Sequence, residues 1–209
     1  MSDVKRPFTV GFCGRSGSGK SYVAKKFSKI IGGIWIDADE VYHKLLLPSG
    51  GEPSECCKAI AKALGSEFVG SDGTLDRKKL GKTVFSDKEK LEELNRISHT
   101  FIRDEIERII KSSDCSFAAV DAVLLPFSSC AVLCDFMVAV AANEEASLER
   151  IMKRDSVSEK AARARLNAQP PLEKYIEVCD KVIFNGIEES NLESQLDELI
   201  NEVKKLASD

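Results

Sequence analysis

The chain has 209 residues, of which 43% are hydrophobic, so it can bury one substantial core but not two large independent domains. Its 30 basic and 34 acidic residues leave a net charge of -4, which provides no basic field to hold a nucleic acid backbone. The longest apolar run, residues 117–125, contains Asp121 and is much shorter than the ~20 residues that cross a bilayer, so no membrane span is expected.

Two further features bear on the cellular compartment. The polar residues 1–6 lack the apolar region of a signal peptide, and we expect a cytoplasmic protein. The seven cysteines are an odd number without a repeated metal-ligand spacing, which favours buried free thiols. The sequence predicts no oligomeric state.

In chain order, the predicted elements alternate between strands and helices. The strands are predicted at 8–13, 34–36, 117–125, 136–142 and 181–184. The helices are predicted at 20–31, after Asp39, and at 58–64, 77–85, 88–110, 145–167 and 192–206. This alternation indicates an α/β protein with a parallel sheet. The helical block between the second and third strands is too long for an ordinary crossover, so we predict an inserted lobe.

A glycine-rich motif joins the first strand to the first helix. Residues 14–21, Gly-Arg-Ser-Gly-Ser-Gly-Lys-Ser, match the P-loop pattern Gly-x-x-x-x-Gly-Lys-[Ser/Thr] without a mismatch. Such a loop turns its N–H groups toward phosphates at the positive end of a helix. Lys20 would add charge at the β- and γ-phosphates, and Ser21 would offer its hydroxyl to Mg²⁺. The candidate nucleotide-binding residues are Gly14, Ser16, Gly17, Ser18, Gly19, Lys20, Ser21 and Tyr22.

The P-loop alone is compatible with a GTPase, an ATPase motor or a small-molecule kinase. The chain has no Asn-Lys-x-Asp motif for reading guanine, and 209 residues leave little room for the oligomeric machinery of a motor. A kinase is therefore favoured. Asp37 and Asp39 follow the second strand, at the edge of the sheet where ligands bind. Asp39 is either a base that orients an acceptor hydroxyl or a cap of the next helix, and the two interpretations carry equal weight here.

Several segments together resemble the dephospho-CoA kinase family. They occur in the order and at about the spacing of that family. They are Asp37-Ala-Asp39 with His43, Asp72-Gly-Thr-Leu-Asp-Arg77, Val84-Phe85, Leu94-Asn95-x-Ile97-x-His99, and Arg150-Ile-Met-Lys-Arg154-Asp155. The resemblance implies phosphorylation of the ribose 3′-hydroxyl of dephospho-CoA with MgATP. It also implies that Asp39 is the base and that His43 and Arg77 contact the substrate, while His99 would pack within the lobe.

Arg150 and Arg154 are four residues apart and can face the same side of a helix, as a lid over the γ-phosphate requires. By resemblance, Arg150 is a catalytic candidate, Arg154 and Asn185 are ATP contacts, and Asp121 belongs to the magnesium site. We predict one domain over residues 1–209, a doubly wound parallel P-loop kinase with five strands, a helical substrate lobe at 40–113 and a helical lid at 143–172.

The chain also departs from the family pattern. His99 is followed by threonine where the family has proline, and Phe184 replaces the aspartate before Asn185. Residues 121–127, Asp-Ala-Val-Leu-Leu-Pro-Phe, replace Asp-x-Pro-Leu-Leu-Phe-Glu. Two alternatives therefore stay open. One is another P-loop kinase of a nucleoside, nucleotide or sugar, and the other is a nucleotide-binding regulator with weak catalysis.

Overall fold

The structure is a computed structural model that describes residues 6–84, 86–186 and 189–208. Phe85, which belongs to a predicted helix and to one segment of the resemblance, lies outside the described residues. Within the described ranges, no helix is both long and apolar enough to cross a membrane.

The described part of the chain forms one parallel sheet of five strands. They are β1 (Phe8–Cys13), β2 (Ile34–Asp37), β3 (Phe117–Asp121), β4 (Phe136–Ala141) and β5 (Lys181–Phe184). Their order is β2-β3-β1-β4-β5, and every neighbouring pair is parallel. The interior strand β4 is buried at every position, as expected for a parallel sheet covered on both faces. The predicted α/β fold with five parallel strands is confirmed.

Helices occupy most of the remaining chain. They are α1 (Lys20–Ile31), α2 (Ala38–Leu45), α3 (Glu55–Leu64), α4 (Arg77–Val84), α5 (Lys88–Lys111), α6 (Glu144–Asp155), α7 (Glu159–Asn167), α8 (Leu172–Val178) and α9 (Glu189–Leu206). Short 3-10 turns lie at Ser66–Phe68, Leu125–Phe127 and Ala131–Leu133.

The largest differences from the prediction concern one strand and two helices. The third strand ends at Asp121 rather than at residue 125, because the chain turns into the 3-10 segment that contains Pro126. The predicted helix 145–167 is two helices, since Ser156 adopts a left-handed conformation with φ of 52°. Ser158 then caps α7 by accepting a hydrogen bond from the backbone N–H of Ala161. Helix α8 was not predicted.

The chain divides into two compact units. One contains the described residues up to Asp37 and from Ile110 onward, and the other is Ala38–Ile109. The first unit holds the sheet, and its core includes Phe12, Phe27 and Leu196. The second unit is helical and has its own core, which includes Cys57, Ile60 and Phe68. Four of the seven cysteine thiols are buried, and those of Cys115, Cys134 and Cys179 are half-buried.

Candidate active site

The carboxyl ends of the parallel strands gather polar residues at one edge of the sheet. The glycine loop follows β1, Asp37 ends β2, Asp121 ends β3, and Asn185 follows β5. In the register of the sheet, Asp37 is the direct partner of Asp121. This edge is where ligands bind in open α/β sheets, so the topology alone selects it as the candidate site.

The glycine loop has a backbone that few other residues could adopt. Gly14, Gly17 and Gly19 have φ angles of 141°, 79° and 85°, in the region that favours glycine. At Gly17, an added Cβ would also collide with the backbone carbonyl of Ser147 at the start of α6. Gly19 stands at the N-cap of α1 without a side-chain cap. The first N–H groups of α1 are therefore available to an anion.

Lys20 and Asp121 form a buried ion pair beneath this loop. Lys20 Nζ lies 3.2 Å from Asp121 Oδ1 and donates a hydrogen bond to Ser21 Oγ at 3.4 Å. Asp121 is 1% exposed. Burial raises the pKa of Asp121, while Lys20 and the Ser21 hydroxyl lower it, and the nearby Asp37 raises it further. Lys20 thus supplies a cation for phosphate, and Asp121 and Asp37 supply carboxylates that suit a divalent metal.

Asp121 also fits a metal by its unsatisfied oxygens. Among the described residues, neither carboxylate oxygen has a well-aligned hydrogen bond, although Lys20 is within ion-pair distance. Mg²⁺ is commonly held by one or two carboxylates together with waters and substrate phosphates. In the same described ranges, no group of three or more histidine, cysteine or acidic residues could hold a metal. Asp37 and Asp121 are neighbours in the sheet and Ser21 follows Lys20, so these residues could contribute to such a site.

Arg150 and Asn185 both donate hydrogen bonds to backbone carbonyls of the loop. Arg150 Nη1 donates to the carbonyl oxygens of Gly17 at 3.1 Å and Ser18 at 3.4 Å. Asn185 Nδ2 donates to the same Ser18 oxygen at 2.8 Å. These contacts come from α6 and from the end of β5, so two distant segments hold the loop. Both residues predicted from the resemblance are thus brought to the P-loop.

A cavity of about 310 Å³ lies against the loop. Its lining residues are Arg15, Gly17, Gly19, Lys20, Ser21, Arg150 and Arg154. Four of these side chains carry a positive charge, which suits a polyphosphate. Arg154 also forms an ion pair with the adjacent Asp155, with Nε 2.8 Å from Oδ1. Tyr22, another candidate nucleotide contact, is half exposed on the first turn of α1.

Two site residues were missed by the sequence analysis. Arg15 occupies a variable position of the P-loop pattern, which says nothing about its side chain. In the structure its Nη2 donates to the Leu166 carbonyl at 2.9 Å, and the buried Nε has no hydrogen-bond partner among the described residues. Asp37 was considered only beside Asp39, because its pairing with Asp121 depends on the order of the strands.

The predicted substrate residues lie in the helical unit. Asp39 is the second residue of α2 and is exposed, and Asp37 precedes the helix in the capping position. This placement weighs against the interpretation of Asp39 as a simple cap. His43 and Arg77 are exposed, and the cap of α4 is Asp76, whose Oδ1 accepts from the N–H of Lys79 at 2.9 Å. His99, which was expected to pack within the lobe, has an exposed side chain, although partial burial lowers its pKa.

Known proteins are similar to this chain over most of its length. The family model described as dephospho-CoA kinase matches residues 8–190. The dephospho-CoA kinase of Methylococcus capsulatus is 32% identical over 200 residues, 95% of this chain and 98% of that protein. The dephospho-CoA kinase of Carboxydothermus hydrogenoformans is 34% identical over 199 residues, 94% of this chain and 93% of its own length.

Solved structures show the same similarity. A Thermus thermophilus protein aligns with a TM-score of 0.78 and 28% identity, covering 95% of this chain and 98% of its own. Dephospho-CoA kinase from Campylobacter jejuni has a TM-score of 0.63 and 25% identity with the same coverage. Shikimate kinase from Acinetobacter baumannii, at 14% identity and a TM-score of 0.52 over 95% of this chain and 94% of its own, shares the fold.

Proposed function

This chain belongs to the dephospho-CoA kinase family, and from that membership we propose that it transfers the γ-phosphoryl group of ATP to the ribose 3′-hydroxyl of dephospho-CoA. The family implies an ATP-dependent kinase that acts on a small molecule. The observation that carries the proposal is the P-loop with Lys20 and Asp121 paired beneath it. This reaction would be the last step of coenzyme A synthesis.

The P-loop is proposed to bind the β- and γ-phosphates. The positive end of α1 and loop N–H groups other than those of Ser16 and Ser18, which donate to Gln169 and Arg15, would hold the oxygens. The glycine conformations that such binding needs already exist in the loop. Lys20 would exchange part of its interaction with Asp121 for the phosphates, and it would neutralise charge as the γ-phosphoryl group leaves. The loop and Lys20 therefore bind and orient ATP.

The metal is proposed to be Mg²⁺. The Ser21 hydroxyl and the carboxylates of Asp121 and Asp37 would hold it at the sheet edge, directly or through water. A metal ion held by these residues would supply positive charge that offsets the charge of the phosphates. The ion would also satisfy the Asp121 oxygens that the protein leaves without hydrogen bonds among the described residues.

Arg150 and Arg154 are proposed to meet the γ-phosphoryl group. Arg150 uses one guanidinium nitrogen to hold the carbonyl oxygens of Gly17 and Ser18, and a guanidinium carries five N–H donors in a planar fork. Asn185 is proposed as an ATP contact through its bond to Ser18. The helices at 143–172 would thus act as a lid that places arginine beside the loop.

The acceptor side rests on the family resemblance and on chain position. Asp39, two residues beyond the end of β2, is proposed as the base that accepts the hydroxyl proton. His43 and Arg77 are proposed as substrate contacts, and residues 40–113 as the substrate-binding lobe. A cytoplasmic location and a single domain over 1–209 also stay predictions.

The test is ADP release from purified protein with MgATP and four acceptors, namely dephospho-CoA, adenosine, AMP and pantetheine. We expect turnover with dephospho-CoA and a product that carries a 3′-phosphate by mass spectrometry and NMR. Lys20→Ala is the control and should remove nearly all turnover, because the loop loses its cation at the β- and γ-phosphates. Turnover with another acceptor would identify a different small-molecule kinase. Nucleotide binding without any transfer would indicate a regulator.

A further inference from the structure

A glutamine outside every recognised motif binds the P-loop with both ends of its amide. Gln169 follows α7, and its Oε1 accepts the backbone N–H of Ser16 at 2.8 Å. Its Nε2 donates to Ser16 Oγ at 2.7 Å. The two residues are 153 positions apart in the chain, and Ser16 is 8% exposed. Gln169 therefore specifies both the backbone and the hydroxyl orientation of one loop residue.

Helices α6 and α7 also contact the loop. Arg15 Nη2 donates to the carbonyl of Leu166 on α7 at 2.9 Å. Helices α6 and α7 share a small core that includes Leu148, Ile151 and Leu166. Because α6 carries Arg150, which binds Gly17 and Ser18, the helix pair and the segment after α7 together contact the consecutive loop residues 15–18. Through these hydrogen bonds and the shared core, the position of Arg150 is connected to the conformation of the loop.

We propose that Gln169 is a positioning residue for phosphoryl transfer. This proposal rests on the proposed function, because it assumes that the P-loop binds ATP. By fixing Ser16, Gln169 keeps the loop N–H groups directed at the phosphates, and it joins α6 and α7 to the loop so that Arg150 stays beside the γ-phosphoryl group. Gln169 itself contacts the loop and not the reacting atoms.

At this contact, a neutral amide and a carboxylate differ in charge rather than in the number of hydrogen bonds that they can make. Glutamine offers one acceptor and one donor side by side, which matches the N–H and the hydroxyl oxygen of Ser16. Glutamate could keep both hydrogen bonds, because the Ser16 hydroxyl can rotate and donate. It would, however, add a negative charge beside a loop that binds polyphosphate. Gln169→Glu therefore keeps the size and the hydrogen bonds of the side chain and tests the effect of a negative charge beside the loop.

The experiment compares Gln169→Glu, Gln169→Ala, Ser16→Ala and the double alanine variant. The measurements are kcat and KM for ATP in the ADP-release assay and equilibrium binding of a nonhydrolysable ATP analogue. Gln169→Glu should weaken analogue binding about tenfold or more with an unchanged melting temperature, because the lost affinity comes from charge. Asn167→Asp is the matched control, since it adds the same charge at an exposed position two residues away and should bind normally.

The alanine variants test the linkage to Ser16. Gln169→Ala should lower kcat about tenfold, in keeping with two hydrogen bonds of ordinary strength. Ser16→Ala in the Gln169→Ala background should cost much less than it does alone, because the two residues act as one unit. Fully independent effects, or a Gln169→Glu variant that binds the analogue within twofold of wild type, would overturn the proposal. Analogue binding uses no acceptor, so this test does not depend on which hydroxyl is phosphorylated.

Discussion

At the scale of single residues, the candidate site depends on carboxylates in different surroundings. Asp121 is buried under the loop and paired with Lys20, whereas Asp39 is exposed on α2. A buried carboxylate with a cation beside it suits a metal and phosphate site. An exposed carboxylate is accessible to an incoming hydroxyl, whose proton it is proposed to accept. The buried Asp121 therefore suits the proposed metal site, and the exposed Asp39 suits the proposed role of base.

For Asp39→Asn we expect kcat to fall by about 10²-fold or more with nearly unchanged affinity for ATP, because an amide cannot accept the hydroxyl proton. Steady-state kinetics and ATP-analogue binding measure the two effects separately. Asp37→Asn is the comparison, and it should mainly raise the Mg²⁺ concentration that is required, since Asp37 is paired with Asp121. A thermally less stable Asp39→Asn enzyme with normal turnover would instead support a capping role.

A second residue-scale prediction concerns two thiols in contact. Cys13 Sγ lies 3.3 Å from Cys179 Sγ. Their hydrogen bond lowers the pKa of Cys179, although burial opposes this, and it raises the pKa of Cys13. A lower pKa gives more thiolate at a given pH and faster alkylation. Cys13→Ala should therefore slow the alkylation of Cys179 several-fold at pH 7 and move its pH profile to higher pH.

Iodoacetamide kinetics followed by peptide mass spectrometry measure this effect. The half-buried Cys115 serves as an internal reference, because nothing near it changes in the variant. If Cys179 reacts at the same rate in both proteins and Cys115 is also unchanged, the hydrogen bond does not control the thiol.

At the scale of elements, the sequence predicted the P-loop and its flanking elements well. It predicted less well where the later helices begin and end. The loop at residues 14–21 and its flanking strand and helix follow from a contiguous pattern, and they were predicted correctly. The interruption at Ser156 was missed, because a non-glycine residue in the left-handed region has no sequence signal. Helix α8 was missed because its seven residues directly follow Pro170 and Pro171, which usually end a helix.

Helix α6, part of the proposed lid, leads to a prediction about Arg150. Arg150→Ala should lower kcat by about 10³-fold and change KM for ATP much less, since a lid arginine acts mainly when charge develops on the transferred group. Arg150→Lys should restore little of the lost rate, because a compact ammonium cannot replace the two-pronged contact with phosphate. Steady-state kinetics on both variants make the test.

The matched control for Arg150 is Arg163→Ala on α7. Arg163 is exposed and pairs with Glu144 and Glu159, at 3.1 Å and 2.8 Å, and surface ion pairs of this kind contribute little. Its loss should leave kcat within about twofold. If Arg150→Ala behaved in the same way, the catalytic role would pass to Arg154, which lines the same cavity.

At the scale of the whole molecule, the site is assembled by the sheet. Asp37, Asp121 and Asn185 are far apart in sequence and come to one edge only because β2, β3 and β5 are parallel. A sequence pattern can predict that strands alternate with helices, but it does not specify which strands are neighbours. For this reason the Asp37–Asp121 pairing and the contact of Gln169 with the loop became visible only in the structure.

A ligand that binds only the folded chain must stabilise it, which gives a test of the P-loop as a unit. At a MgATP concentration about 100 times its Kd, the expected stabilisation is about 2.7 kcal/mol, which corresponds to a rise of roughly 5–11 °C in the melting temperature of a protein this size. Gly17→Ala should abolish that rise, because φ at Gly17 is 79° and the new Cβ would collide with the Ser147 carbonyl.

Gly32→Ala separates this loss of binding from a general loss of stability. Gly32 ends α1 with φ of 74°, but nothing lies within 4 Å of an added Cβ. Both alanines should cost about 1–2 kcal/mol for the left-handed backbone, so both proteins should melt earlier than wild type without nucleotide. Differential scanning calorimetry with and without MgATP should then show the full nucleotide-induced rise for Gly32→Ala and none for Gly17→Ala. An equal rise in the two variants would mean that MgATP binds somewhere other than the P-loop.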